Sequence, residues 1–218
     1  MKNTIPMILV LSLFVIHCDN SKKERTVQMK NEKNNEVDKK SSSDGKEVAI
    51  ITTDYGDMVV EFFEKVAPKH VESFKLHTKN GYYDGTIFHR VIPGFMIQGG
   101  DPNTKSENKD TYGMGGRAAK YYGIGNENEP TSWNLPAEFN DLSHKRGILS
   151  MARSNNPDSG GSQFFICAAD APHLDKAYTV FGQVIEGEQI IDQIITLPRD
   201  TRDNPNRRVE MSIKLERR

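Results

Sequence analysis

The stretch Phe88-His89-Arg90-Val91-Ile92-Pro93-Gly94-Phe95-Met96-Ile97-Gln98-Gly99-Gly100-Asp101 places one arginine inside an otherwise apolar run and closes it with a glutamine and two glycines. Two short strands joined by a turn at Pro93-Gly94 fit this pattern. Side chains alternate across a strand. Phe88, Arg90 and Ile92 are therefore expected on one face of the first strand, and Phe95 and Ile97 on one face of the second. A guanidinium beside aromatic and thioether side chains is costly to bury without an acceptor. Arg90 must then either reach water or line a hydrophobic cleft that receives a ligand.

Working outward, residues 48–50 and 58–63 read as a hairpin around Tyr55-Gly56-Asp57. Residues 68–80 read as a helix, with Pro68 suited to the first turn, Val71, Phe74 and Leu76 as its apolar side, and Gly81 as its stop. A second helix is expected over 188–197, through Ile190, Ile191, Ile194 and Ile195, stopped by Pro198. Short strands recur between these, and residues 212–215 supply a last one. Many short strands with two helices suggest a closed antiparallel barrel whose ends the helices cap. Residues 101–140 hold many glycines and three tyrosines. Gly113-Met114-Gly115-Gly116 lacks the following Lys-Ser/Thr of a phosphate loop, so the segment reads as a long surface loop.

Further blocks extend the first. Gly147-Ile148-Leu149-Ser150-Met151-Ala152, then Gly161-Ser162-Gln163-Phe164-Phe165-Ile166-Cys167, then His173-Leu174-Asp175-Lys176-Ala177-Tyr178-Thr179-Val180-Phe181-Gly182 follow in order. In these blocks the chain resembles the cyclophilins, a family of peptidyl-prolyl cis-trans isomerases, from about Val48 to about Leu215. The resemblance implies a mainly β fold, a closed eight-stranded antiparallel barrel capped by two α-helices. It also implies acceleration of Xaa-Pro isomerisation in proline-containing polypeptides, without nucleophile, metal or cofactor. Compared with compact family members, the loop is extended around residues 118–130.

Isomerisation sets the chemical demand. Rotation about a peptide bond has a barrier of about 18–20 kcal/mol, set by its partial double-bond character. In the twisted transition state the prolyl nitrogen holds a localised lone pair, so a fixed cationic donor aimed at it binds that state more strongly than the planar one. A guanidinium stays charged at any working pH and offers coplanar donors. By resemblance Arg90 is the catalytic donor. Phe95, Met96, Phe165 and Leu174 form the pocket for the proline ring, Gln98 and Gln163 grip the substrate backbone, and His89 and Tyr178 line the rim. Met151, Ala152, Arg153 and His173 complete the substrate-binding set. Taken singly, Phe95, Met96 and Phe165 would read as core residues, and His89 as a surface residue. His70 and His77 sit seven apart on the first helix, but without cysteine or carboxylate support they do not make a metal pair. Three residues depart from frequent family choices: Arg153 stands for asparagine, His173 for the tryptophan that contacts cyclosporin in many eukaryotic relatives, and Tyr178 for histidine. Weakened cyclosporin binding is expected.

The N-terminus reads differently. Met1-Lys2-Asn3 precedes an apolar run from Ile5 to Ile16, too short for a spanning helix, which needs roughly 20 residues. A basic start and such a core read as a secretory signal over residues 1–17. The run ends at Cys18, and Val15-Ile16-His17-Cys18 resembles a lipobox apart from His17. This suggests lipidation of Cys18 and a membrane anchor in a bacterial envelope, ordinary secretion with later cleavage being the alternative. Residues 18–46 form a polar, mixed-charge tether too poor in apolar groups to fold, reaching about 30 Å as a flexible coil. The globular domain is expected over 47–218. The only other cysteine, Cys167, follows an apolar strand and reads as a buried, inert thiol.

Composition fits one domain plus an appendage: 218 residues with a hydrophobic share of 36%. A net charge of −1, from 29 basic and 30 acidic residues, argues against nucleic-acid binding, which calls for a basic stripe. A monomer is the default. Two functional classes stay open: an isomerase acting on exported or envelope proteins, and a non-catalytic module that holds proline peptides as a chaperone, adhesin or scaffold.

Overall fold

A computed structural model describes residues 45–218 of the chain. The signal segment 1–17, Cys18 and nearly all of the expected tether lie outside the described residues. Nine strands follow one another as β1 (Glu47–Thr53), β2 (Gly56–Phe62), β3 (Thr86–Ile87), β4 (Arg90–Ile92), β5 (Met96–Gly99), β6 (Ile148–Met151), β7 (Phe164–Cys167), β8 (Val180–Glu186) and β9 (Glu210–Arg217). Among the described residues two α-helices accompany them, α1 (Pro68–Lys79) after β2 and α2 (Gln189–Ile195) after β8. No helix among the described residues is long and apolar enough to cross a membrane.

All nine strands join one antiparallel sheet in the order β3-β9-β1-β2-β8-β6-β7-β5-β4. Its two edges, β3 and β4, are halves of one continuous segment. Thr86 and Ile87 pair with Met211 and Glu210 of β9, whereas Arg90, Val91 and Ile92 pair with Gln98, Ile97 and Met96 of β5. Between them Phe88 N donates to Val209 O at 3.0 Å and His89 N donates to Gln98 O at 3.0 Å. The chain thus hands its hydrogen bonds from one neighbour to the other, and the sheet returns on itself as a barrel. Eight strands were expected and nine are found because this segment breaks at Phe88-His89.

The break corrects the expected faces. Phe88 is fully buried in the main core while Arg90 turns out, its side chain 44% exposed. The two do not share a face, because the handover shifts the alternation between them. Phe95 belongs to the turn before β5. In β5 itself Ile97 points inward with Val91, and Met96 and Gln98 point outward with Ile92 and Arg90.

The barrel interior and both helices share one core. Phe74 of α1 sits at its centre, with ring centroids 5.0 Å from Tyr83, 5.4 Å from Phe164 and 5.7 Å from Phe181. Ile190, Ile191, Ile194 and Ile195 of α2 close another side. Helix α1 starts with proline in its first turn, and Gly81 follows its end with φ +64°, a left-handed conformation that glycine adopts without strain.

The inner stripe of α1 is more polar than its sequence pattern suggests. Leu76 is only half-buried, whereas His70, Ser73, His77 and Thr78 are buried. Each of these has a partner. His70 Nδ1 lies 2.7 Å from Glu138 Oε2, Ser73 Oγ accepts from Ala119 N at 2.9 Å, and His77 Nε2 lies 2.8 Å from Arg117 O. Thr78 Oγ1 donates to the helix's own Phe74 O at 2.9 Å. Helix α1 therefore clamps the long loop as well as filling the core, and its two histidines serve that clamp.

Burial pushes the His77 imidazole down to about 4, against the opposing pull of its bond to the Arg117 carbonyl. The unfolded chain takes up this proton below about pH 6.5, the folded chain only near pH 4, so the stabilisation is complete above pH 6.5 and is lost as pH falls towards 4. Urea unfolding at pH 7.5 and pH 5 should show a loss of about 2 kcal/mol from this group. His77→Gln, which keeps an N–H for Arg117 O, should flatten that part of the pH slope; an unchanged slope would remove His77 as its source.

Candidate active site

Strand register assembles the site on the outer face of the barrel. Arg90 lies opposite Gln98, and Gln98 opposite Phe165; one pair further along, Ile92 faces Met96 and Met96 faces Cys167. The polar row and the apolar row are thus neighbours on β4, β5 and β7. Alternate residues Val91, Ile97 and Ile166 go to the interior and fix this choice of face.

The polar row forms a relay of oriented amides. Arg90 Nη1 lies 3.5 Å from Gln98 Oε1, the long end of hydrogen bonding. Gln98 Nε2 donates to Gln163 Oε1 at 2.9 Å, and Gln163 Nε2 donates to Gly115 O at 2.7 Å and Gly113 O at 3.0 Å. The guanidinium also leans on Asp203, with Nε 3.8 Å from Oδ2. Most of its donors remain available to a ligand.

The apolar row belongs to a second core cluster outside the barrel. Met96, Phe165 and Leu174 are buried there, and Phe95, Ala152 and Tyr178 pack at its margin. The Phe165 and Tyr178 rings meet edge to face at 5.8 Å, and the Phe95 and exposed His173 rings lie 5.4 Å apart. Cys167 lies beneath them with its thiol pushed up to about 12 by burial and by Asp170 and Asp175. That suits an inert packing group.

Two residues stand apart from the positions their motifs suggest. Met151 is 3% exposed and its side chain belongs to the inner core; its backbone N donates to Thr179 O at 3.0 Å. His89 is only 2% exposed, lying beneath the rim, and burial lowers its pKa. The Asp101 charge and polar contacts to the Ile87 backbone and Gln163 oppose that shift, while Arg90 adds to it. Arg153 is tied down by its neighbours: Nε and Nη2 donate to Ala177 O at 3.0 and 2.8 Å, Nη1 donates to Ser154 O at 2.8 Å, and the guanidinium stacks 4.4 Å from the Tyr178 ring centre. It braces the wall that carries Tyr178.

Several supporting residues had no signal in the motifs. His144 stacks on Phe165 at 6.1 Å and 15°, with Nδ1 3.0 Å from Asp175 Oδ1 and Nε2 3.0 Å from Ser150 Oγ. Asp101 is fully buried and accepts from Asn103 N at 2.8 Å and Gly113 N at 2.5 Å, which brings the glycine loop to Gln163. Gly116 has φ +110°, and a Cβ there would lie 2.6 Å from Ser162 Oγ, so only glycine allows this approach. A cavity of about 320 Å³ opens between that loop and Ala152–Ser154, walled by Gln98 and Gln163. A cavity of about 770 Å³ lies elsewhere, beside Phe62, Phe63, Val66 and Leu142, and contains none of these groups. Among the described residues no cluster of three or more His, Cys, Asp or Glu side chains could hold a metal ion.

Known proteins resemble this chain in sequence and fold. The model of the cyclophilin type peptidyl-prolyl cis-trans isomerase family matches residues 48–214. A probable peptidyl-prolyl cis-trans isomerase of Brucella abortus is 43% identical over 154 residues, covering 71% of this chain and 74% of that protein. A peptidyl-prolyl cis-trans isomerase of Acinetobacter baylyi is 41% identical over 154 residues, covering 68% and 72%. The crystal structure of a Cryptosporidium parvum cyclophilin type isomerase, obtained in the presence of the dipeptide Ala-Pro, superposes with a TM-score of 0.66 at 34% identity, covering 78% of this chain and 98% of that one. With the fold and these relationships agreeing, the chain belongs to the cyclophilin-type peptidyl-prolyl cis-trans isomerases.

Proposed function

We propose that this isomerase uses Arg90 as its transition-state donor and acts on Xaa-Pro bonds of exported or envelope proteins, from a lipid anchor at Cys18. One observation carries the catalytic part: Arg90, Gln98 and Gln163 form a polar row directly beside the Met96, Phe165 and Leu174 cluster. A proline ring seated on the apolar row places its nitrogen beside the guanidinium. The planar ground state offers that nitrogen little basicity, because its lone pair is delocalised into the carbonyl. Twisting localises the pair, and the hydrogen bond from Arg90 strengthens as it does so. The glutamine relay holds the amides in fixed orientations to grip the substrate backbone, so little reorganisation is needed at the moment of rotation. No covalent bond is made or broken.

The location follows from the sequence upstream of the domain. The basic start, the apolar run from Ile5 to Ile16, and Cys18 together support export and lipidation. Slow prolyl isomerisation limits folding in any compartment, and an envelope has the same need.

With the full-length chain, Arg90→Ala should lower kcat/KM on a Xaa-Pro peptide by about 10²–10³-fold, the loss typical of one transition-state donor, while peptide binding by NMR titration persists. Unchanged turnover would remove Arg90 from the mechanism; a wild-type chain that binds without turnover would favour the binding-only role. His173→Trp should raise cyclosporin affinity at least about tenfold, which calorimetry would detect. In a bacterial host, Cys18→Ala should move the protein from the membrane to the soluble fraction and abolish acyl labelling; membrane retention without Cys18 would overturn the anchor.

A further inference from the structure

The geometry points to a second, charged subsite beside Arg90 that takes a carboxylate carried by a residue flanking the substrate proline. It presupposes the prolyl group at Arg90 proposed above. A cavity of about 260 Å³ adjoins Arg90 and Gln98. Lys109, Tyr112 and Arg202 line it with Arg90, and His89 and Asn204 lie in its wall. Three cations and no carboxylate contribute to that lining.

The carboxylates that face these cations stand outside the cavity. Lys109 Nζ is 3.7 Å from Asp200 Oδ2, Arg202 Nη1 is 3.1 Å from Asp110 Oδ1, and Arg90 Nε is 3.8 Å from Asp203 Oδ2. Asp110 is 85% exposed, and the other two acids are about one-third exposed. Solvated pairs of this kind are weak, so an incoming carboxylate can share or replace such a partner.

The wall carries an independent sign of use. Both ring nitrogens of His89 and Oδ1 of Asn204 lack a partner in hydrogen-bonding geometry among the described residues, although the residues are only 2% and 6% exposed. Unmatched buried polar atoms are uncommon, and two residues with them in one wall mark a place not built for stability alone. Asn204 Nδ2 donates to His89 O at 2.6 Å, and Asp203 O accepts from Val91 N at 2.9 Å. These bonds fix the loop of Arg202 against the strand of Arg90. A carboxylate entering here meets Lys109 and Arg202 while the neighbouring proline lies within reach of Arg90.

The test compares proline peptides bearing Asp or Asn immediately before or immediately after the proline, using the full-length chain. One of the two Asp/Asn ratios in kcat/KM should reach about three- to fivefold at low salt, and the position at which it appears identifies the flank. It should shrink at about 0.5 M salt, where screening lengths fall to a few ångströms. Lys109→Gln with Arg202→Gln should bring the ratio to about one, and Asp110→Asn, which frees Arg202, should raise it. Ratios of one at both positions, or a preference that survives the double substitution, would overturn the subsite. If the Asn peptides still require Arg90 in that event, the catalytic proposal stands without it. If they do not require Arg90, both fall.

Discussion

The structure depends on one run of backbone, residues 86–92, that serves both edges of the sheet. An open sheet leaves two rows of unpaired amides. Here Phe88 N–H is spent on Val209 and His89 N–H on Gln98, so the pairing passes from β9 to β5 within two residues. The same handover changes the phase of the strand. Phe88 fills the core beside Phe164, and two residues later Arg90 emerges on the outside. Barrel closure and the aim of the arginine are therefore one geometric event.

Around that event the protein keeps two apolar clusters apart. The inner one is packed by Phe74, Phe164, Phe181 and the isoleucines of α2; the outer one rests on the opposite face of β5, β6 and β7. A pocket built on the back of a packed sheet inherits its rigidity, since moving Phe165 would require moving a strand whose other side chains are held inside. His144 adds to this by backing Phe165 while bonded to Asp175 and Ser150. Rigidity suits the mechanism proposed for Arg90, in which a donor and an apolar wall are placed with little reorganisation.

The loop of residues 101–140 is held by polar bonds as well as by Ala118 and Leu135 in the core. Buried His70, Ser73 and His77 of α1 hold it from one side, and Asp101 holds its glycines from the other. These contacts bring Gly113 and Gly115 to Gln163, so helix α1 bears on the groove through the loop it holds.

Much of this was legible in the chain. The Pro93-Gly94 turn, the proline start and glycine stop of α1 and the four isoleucines of α2 follow from local spacing, and the family from blocks shared with it. The eight-strand count, the shared face of Phe88 and Arg90, the apolar role of Leu76 and the rim position of His89 did not survive, because each rests on strand phase or on partners remote in sequence. A break that shifts alternation by one position leaves no mark in composition. Asn204 reaches His89 across 115 positions, and Gly113 and Gly115 meet Gln163 across 50 and 48. By itself the sequence determined the family, the elements and the kind of chemistry, since these depend on residue types at short range. Only the tertiary structure decided which way Arg90 points and which distant cations gather beside it, since closing the barrel sets the register between segments that no local pattern connects.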